Sequence, residues 1–165
     1  WAAAQTVIRW FGTVRWMNTP AAIPPGSNDP ATRPSLRVLV ADDSPVNREL
    51  ACALLSHFGV DPVLAADGSQ AVRLAREQAF DLVLMDLDMP VMDVLAATGQ
   101  IRRFDAEHAT HRQVPVVAYT SGPFPSDEGH LRRLGLDAVL RKPCLPRDLA
   151  ACLERHCPTK FKAAC

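Results

Sequence analysis

From Leu36 onward the chain alternates short, β-rich apolar runs with segments of helical period, and few folds accept that alternation. "LRVLVA" (36–41), "PVLA" (62–65), "DLVLMD" (81–86), "PVVAYT" (115–120) and "DAVL" (137–140) read as five strands. Helices are expected between and after them. Ser44 offers an N-cap, Pro45 suits the first helical position, and Val46, Leu50, Leu54 and Phe58 recur along what reads as one face. Ala71, Val72 and Ala75 give the second helix its apolar side, and further helical segments fall near 93–104, 126–134 and 146–156. Five strands alternating with five helices argue for parallel pairing, so the fold class expected is α/β: a doubly wound five-stranded parallel sheet with helices on both faces, strand order 2-1-3-4-5 as in flavodoxin-like folds.

In such a sheet, functional groups collect just beyond the carboxyl ends of the strands. Asp42 and Asp43 follow the first strand, Asp86 ends the third, Thr120 ends the fourth and Lys142 follows the fifth. Three carboxylates brought to one edge repel by several kcal/mol at an effective dielectric near 20, roughly 4 kcal/mol per pair about 4 Å apart. A hard divalent cation such as Mg²⁺ removes that cost and takes a phosphate oxygen as a further ligand. Asp86 then suits a carboxylate nucleophile that accepts a phosphoryl group, with the Thr120 hydroxyl and the Lys142 ammonium matched to its oxygens.

The segments "VADDSPVNREL", "DLVLMDLDMPVMD", "VPVVAYTS" and "GLDAVLRKP" resemble the receiver domain of two-component response regulators from about Leu36 to His156, in order and spacing. The "DDSPVNR" form is similar to receivers attached to hybrid histidine kinases. The resemblance implies that Asp42 and Asp43 bind Mg²⁺, Asp43 the more directly, and that Asp86 is phosphorylated. It also implies that the main-chain carbonyl of Asp88 is a further ligand, Thr120 the switch hydroxyl and Lys142 the base before Pro143. The phosphodonor it implies is a phosphohistidine on a histidine kinase or histidine phosphotransfer domain. Output would pass through protein contacts on the face of the fourth helix, fifth strand and fifth helix, an arrangement compatible with a homodimer. The receiver itself would not be a conventional enzyme; the parent protein would be a hybrid kinase.

Three positions depart from the family pattern. Val94 stands where a glycine usually follows the acid. Val139 stands where an aromatic switch residue is usual, so Tyr119, the sole tyrosine, is a candidate substitute for that ring or a core residue. The acidic side chain of Asp88 adds charge at the mouth and is expected to alter phosphoryl lifetime or metal affinity. These departures keep a phosphorylation-independent interaction module as an alternative. A haloacid dehalogenase-like phosphatase is disfavoured because its nucleophile strand would come first, whereas Asp42 and Asp43 lie upstream of Asp86.

Charge and cysteines exclude other classes. Formal net charge is zero, and residues 1–34 hold Arg9, Arg15 and Arg33 against Asp29, which leaves about −2 on the remainder and no footprint for nucleic acid. Cys52, Cys144, Cys152, Cys157 and Cys165 show no CxxC spacing and read as reduced thiols of a cytoplasmic domain. His108 and His111 share an HxxH spacing without supporting ligands and read as a solvated loop, while Met85, Met89 and Met92 read as packing residues beside the site. No apolar run reaches the ~18 residues of a spanning helix, so no direct membrane contact is expected. The start at Trp1 suggests a piece of a longer or processed protein. The division expected is an arm with helix-like spacing at 1–17 and a proline-rich linker up to residue 34, the receiver at 35–157, and a tail at 158–165.

Overall fold

A computed structural model describes residues 36–89, 94–108, 113–124 and 127–162. The arm, the linker, the boundary drawn near Ser35, and Met92, Asp93 and His111 lie outside the described residues. Five strands alternate with five helices: β1 (Val38–Ala41), α1 (Pro45–His57), β2 (Val63–Ala65), α2 (Gly68–Glu77), β3 (Leu82–Asp86), α3 (Val94–Glu107), β4 (Val116–Thr120), α4 (Glu128–Arg133), β5 (Ala138–Arg141) and α5 (Pro146–His156). All four strand pairings are parallel and the order is β2-β1-β3-β4-β5, as the alternation requires.

β1, β3 and β4 are buried along their whole length, which is why they read as continuous apolar runs rather than alternating ones. Successive side chains still point to opposite faces. Val38, Val40, Leu82, Leu84, Val117 and Tyr119 enter one layer with Ala51 and Leu55 of α1 and Leu149 and Leu153 of α5. Leu39, Ala41, Val83, Met85, Val116 and Ala118 enter the other with Ala71 and Val72 of α2, Ala97 and Ile101 of α3 and Leu131 of α4.

Ser44 caps α1 by accepting from the Asn47 amide at 3.4 Å, with Pro45 opening the helix. The expected apolar face of α1 needs correction. Val46 is 69% and Leu50 47% exposed, while Ala51 and Leu55 are buried and Leu54 and Phe58 pack against them. A strict four-residue repeat overshoots one helical turn by about 40° at each step, so the stripe from Val46 to Phe58 walks around the helix and only its end meets the sheet. β5 runs one residue further than expected, to Arg141, and α3 continues to Glu107.

The domain also runs past the boundary drawn at residue 157. Phe161 is buried, its ring edge-on to Phe58 at 5.7 Å, and Lys160 pairs with Asp81 at 2.9 Å. Phe161 is therefore part of the packed layer, within the stretch expected to be a tail. Among the described residues no helix is long and apolar enough to cross a membrane.

Candidate functional site at the carboxyl ends of the strands

The crossover geometry delivers Asp42, Asp86, Thr120 and Lys142 to one edge of the sheet from four neighbouring strands. Asp42 is wholly buried, and Asp86 and Thr120 nearly so. Such groups must be partnered. Oδ1 of Asp42 accepts from the Ser44 amide at 2.9 Å and from Nδ2 of Asn47 at 3.1 Å, and its Oδ2 accepts from the Lys142 ammonium at 2.5 Å. The same ammonium lies 2.8 Å from Oδ2 of Asp86, whose Oδ1 accepts from the Asp88 amide at 3.3 Å. Lys142 is itself anchored, its amide donating to the Thr120 carbonyl at 2.9 Å. Thr120 Oγ1 accepts from the Gly122 amide at 3.1 Å, so the loop after β4 is tied to this hydroxyl.

Asp43 points its acid to the exposed mouth. A carboxylate oxygen from each of Asp42, Asp43 and Asp86 lies within 4.8 Å of the others, the one such cluster of metal-capable groups among the described residues. Three carboxylates against one ammonium leave a local excess of negative charge, and this donor set fits a hard divalent cation. Asp88 is exposed, as its position at the mouth suggests.

Two residues that the spacing argument passed over complete the site. Nη1 of Arg48 donates to the carbonyls of Asp42 and Asp43 at 2.6 and 2.9 Å, and Asn47 holds Asp42. Their signal was their place one turn into the helix that follows the acidic pair.

Tyr119 does not stand in for a ring at Val139. It lies in the layer shared with α1 and α5, whereas Val139 packs against the opposite layer, the one that includes Leu131 of α4. The odd–even alternation of the strands forces this separation. Burial pushes the Tyr119 phenol up to about 12, with Cys144, Asp42 and Asp86 adding to it. His108 is exposed, stacked on Phe104 at 4.1 Å and bonded through Nδ1 to the Phe104 carbonyl at 3.0 Å. Met85 and Met89 are buried beside the site. Cys52, Cys144 and Cys152 are thiols outside any disulfide, and the Cys157 thiol donates to the Asp81 carbonyl at 3.4 Å.

A doubly wound parallel sheet carrying an acidic cluster and a lysine bridge at its topological switch is the architecture of a CheY-like signalling domain. The chain belongs to the response regulator receiver domain family, whose family model matches residues 38–154. It is 37% identical over 131 residues to the sensor protein GacS of Pseudomonas syringae pv. syringae, covering 79% of this chain and 14% of that protein. It is 34% identical over 124 residues to the histidine-protein kinase BarA of Shigella flexneri, covering 75% of this chain and 13% of that kinase. The chain thus spans a small part of the curated relatives it matches.

Among solved structures, the receiver domain of the sensor histidine kinase PA1611 from Pseudomonas aeruginosa PAO1, crystallised with a magnesium ion in its active-site cleft, is 33% identical with a TM-score of 0.64. The match covers 74% of this chain and 98% of that one. The complex of the Saccharomyces cerevisiae phosphotransfer protein Ypd1 with the Ssk1 receiver matches at 26% identity and a TM-score of 0.68, covering 78% and 94%.

Proposed function

We propose that this domain is the phosphoacceptor of a two-component phosphorelay, with Asp86 receiving a phosphoryl group from a phosphohistidine. The observation that carries the reading is the Lys142 ammonium held between Asp42 and Asp86, 2.5 and 2.8 Å away, with Asp43 at the mouth. Asp42 is wholly buried and carries three hydrogen bonds from Ser44, Asn47 and Lys142, whereas Asp43 is exposed at the mouth, so Asp43 would be the more direct ligand of that pair for Mg²⁺, with Asp86 and the Asp88 carbonyl as further ligands. Bound there, Mg²⁺ would neutralise the carboxylates and the oxygens of an incoming phosphoryl group.

An oxygen of Asp86 forms the bond to phosphorus as the bond from phosphorus to the donor imidazole breaks, the electron pair leaving with the imidazole. Lys142 is within reach of one phosphoryl oxygen and the Thr120 hydroxyl of another. The Thr120 hydroxyl would donate to that oxygen, and turning its side chain toward the phosphoryl group would shift the oxygen that accepts from the Gly122 amide, which links phosphorylation to the loop after β4. That loop leads into α4, and a changed α4–β5–α5 face alters protein contacts, pairing with a second copy among them. Resemblance to GacS and BarA supports a place in a cytoplasmic part of a hybrid histidine kinase, with a kinase or histidine phosphotransfer domain as partner.

Intact mass after incubation with Mg²⁺ and acetyl phosphate tests this. One phosphoryl adduct is expected in the wild type and none in Asp86→Asn. Absence of any adduct and of any donor hydrolysis, in protein that binds Mg²⁺, would overturn it in favour of a phosphorylation-independent interaction module.

A further inference from the structure

We propose that Tyr119 is a positioning residue for Lys142, its ring forming a floor that holds the ammonium between Asp42 and Asp86 and thereby sets how fast Asp86 is loaded. The Lys142 nitrogen lies 4.8 Å from the centroid of the Tyr119 ring, inside the range of a cation–π contact. The surroundings are dry: the lysine side chain is 9% exposed, those of Asp42 and Asp86 0% and 7%, and Tyr119 3%. A ring quadrupole attracts a desolvated ammonium more strongly than a hydrated one.

The placement follows from the strand register. Asp86 pairs with Tyr119 across β3 and β4, so the ring begins beside the acid, and the Thr120 carbonyl tethers the Lys142 backbone one strand away. Two carboxylates flank the ammonium and the ring covers a further side. The carboxylate contacts are directional and one of them changes when Asp86 is phosphorylated. The ring face is unchanged by that event, so it keeps the ammonium near the reacting oxygen before and after transfer. This gives Tyr119 a task in the layer where it lies, independent of Thr120 and of any rotating aromatic at Val139.

The inference rests on the phosphoacceptor reading for its kinetic part and on geometry alone for its spectroscopic part. Lysines occur at positions 142, 160 and 162, and Tyr119 is the sole tyrosine, so the lysine ε-methylene signals are readily assigned by substitution. An upfield ring-current shift is expected for Lys142 relative to Lys160 and Lys162, retained in Tyr119→Phe and lost in Tyr119→Leu.

In parallel, the second-order rate constant for phosphorylation by acetyl phosphate at saturating Mg²⁺ is expected to stay within about twofold in Tyr119→Phe and to fall about thirtyfold in Tyr119→Leu, the scale of a desolvated cation–π contact. In a Lys142→Met background, Tyr119→Leu should change nothing further. An unshifted Lys142 signal in the wild type would overturn the proposal. So would an equal loss from Tyr119→Leu with and without Lys142, or a Tyr119→Phe protein as slow as Tyr119→Leu. Should Tyr119→Leu not fold, Tyr119→Met takes its place in both comparisons. A wild type that takes up no phosphate would sink the phosphoacceptor reading, while the lysine shift would still decide the ring contact.

Discussion

Neutralising Asp43 should separate the electrostatic cost of the acidic cluster from its use. A carboxylate oxygen of Asp43 lies within 4.8 Å of one from Asp42 and one from Asp86. Asp43 is exposed, so a water-like dielectric applies and each repulsion is worth about 0.9 kcal/mol at that distance. Two such terms, partly offset by attraction to Lys142, leave about 1 kcal/mol of destabilisation in the metal-free domain. Asp43→Asn removes it and keeps the shape. In EDTA the variant should therefore be more stable than the wild type by about 1 kcal/mol, or about 4 °C in Tm for a domain of this size.

With Mg²⁺ the order should reverse. At 100 times its Kd, the ion stabilises the wild type by about 2.7 kcal/mol, and the variant should keep only a minor part of that gain. Urea unfolding followed by far-UV circular dichroism, with and without Mg²⁺, measures both quantities. Tryptophan fluorescence is unsuitable because Trp1, Trp10 and Trp16 all precede the domain. A variant less stable than wild type in EDTA, or one stabilised by Mg²⁺ to the same degree, would refute the reasoning.

Other expectations concern the scaffold. Phe161→Ala removes a buried ring packed edge-on to Phe58 and should cost about 3 kcal/mol in urea unfolding, with truncation after Cys157 at least as severe. Gly135 sits at φ 76°, and an added Cβ would lie 3.0 Å from Cγ2 of Thr98; Gly135→Ala should cost about 1–3 kcal/mol by the same assay. His156 has a buried Nε2 without a hydrogen-bond partner among the described residues, and burial lowers its pKa from 6.5, with Arg155 also lowering it against an opposing pull from Asp137. The folded state then binds fewer protons than the unfolded one, so stability is full above pH 6.5 and declines as pH falls below it. His156→Gln should flatten that decline in urea midpoints compared at pH 7 and pH 5.5.

Legibility in the sequence varied with the range of the interaction. β1, β3 and β4 stood out because both faces are buried and nothing interrupts the apolar run. Ser44 and Pro45 marked the start of α1 because a cap is a local bond. The inward face of α1 was misread from Val46 and Leu50 because periodicity fixes a spacing, and the sheet decides which arc of the helix it covers. Phe161 was missed for a related reason: one aromatic after a helix carries no period, and its burial depends on Phe58, far away in the chain.

The site divides in the same way. Residue types and order alone placed Asp42, Asp43, Asp86, Thr120 and Lys142 at strand ends, since a parallel sheet with right-handed crossovers has one edge where such ends converge. Only the tertiary structure decided how they meet: the ammonium of Lys142 between Asp42 and Asp86, Arg48 on the carbonyls of the acidic pair, and Tyr119 beneath the lysine in the layer opposite Val139. The reason is physical. Strand alternation and helix period are properties of neighbouring residues, whereas partnering a buried charge depends on desolvation and contact between residues up to a hundred positions apart.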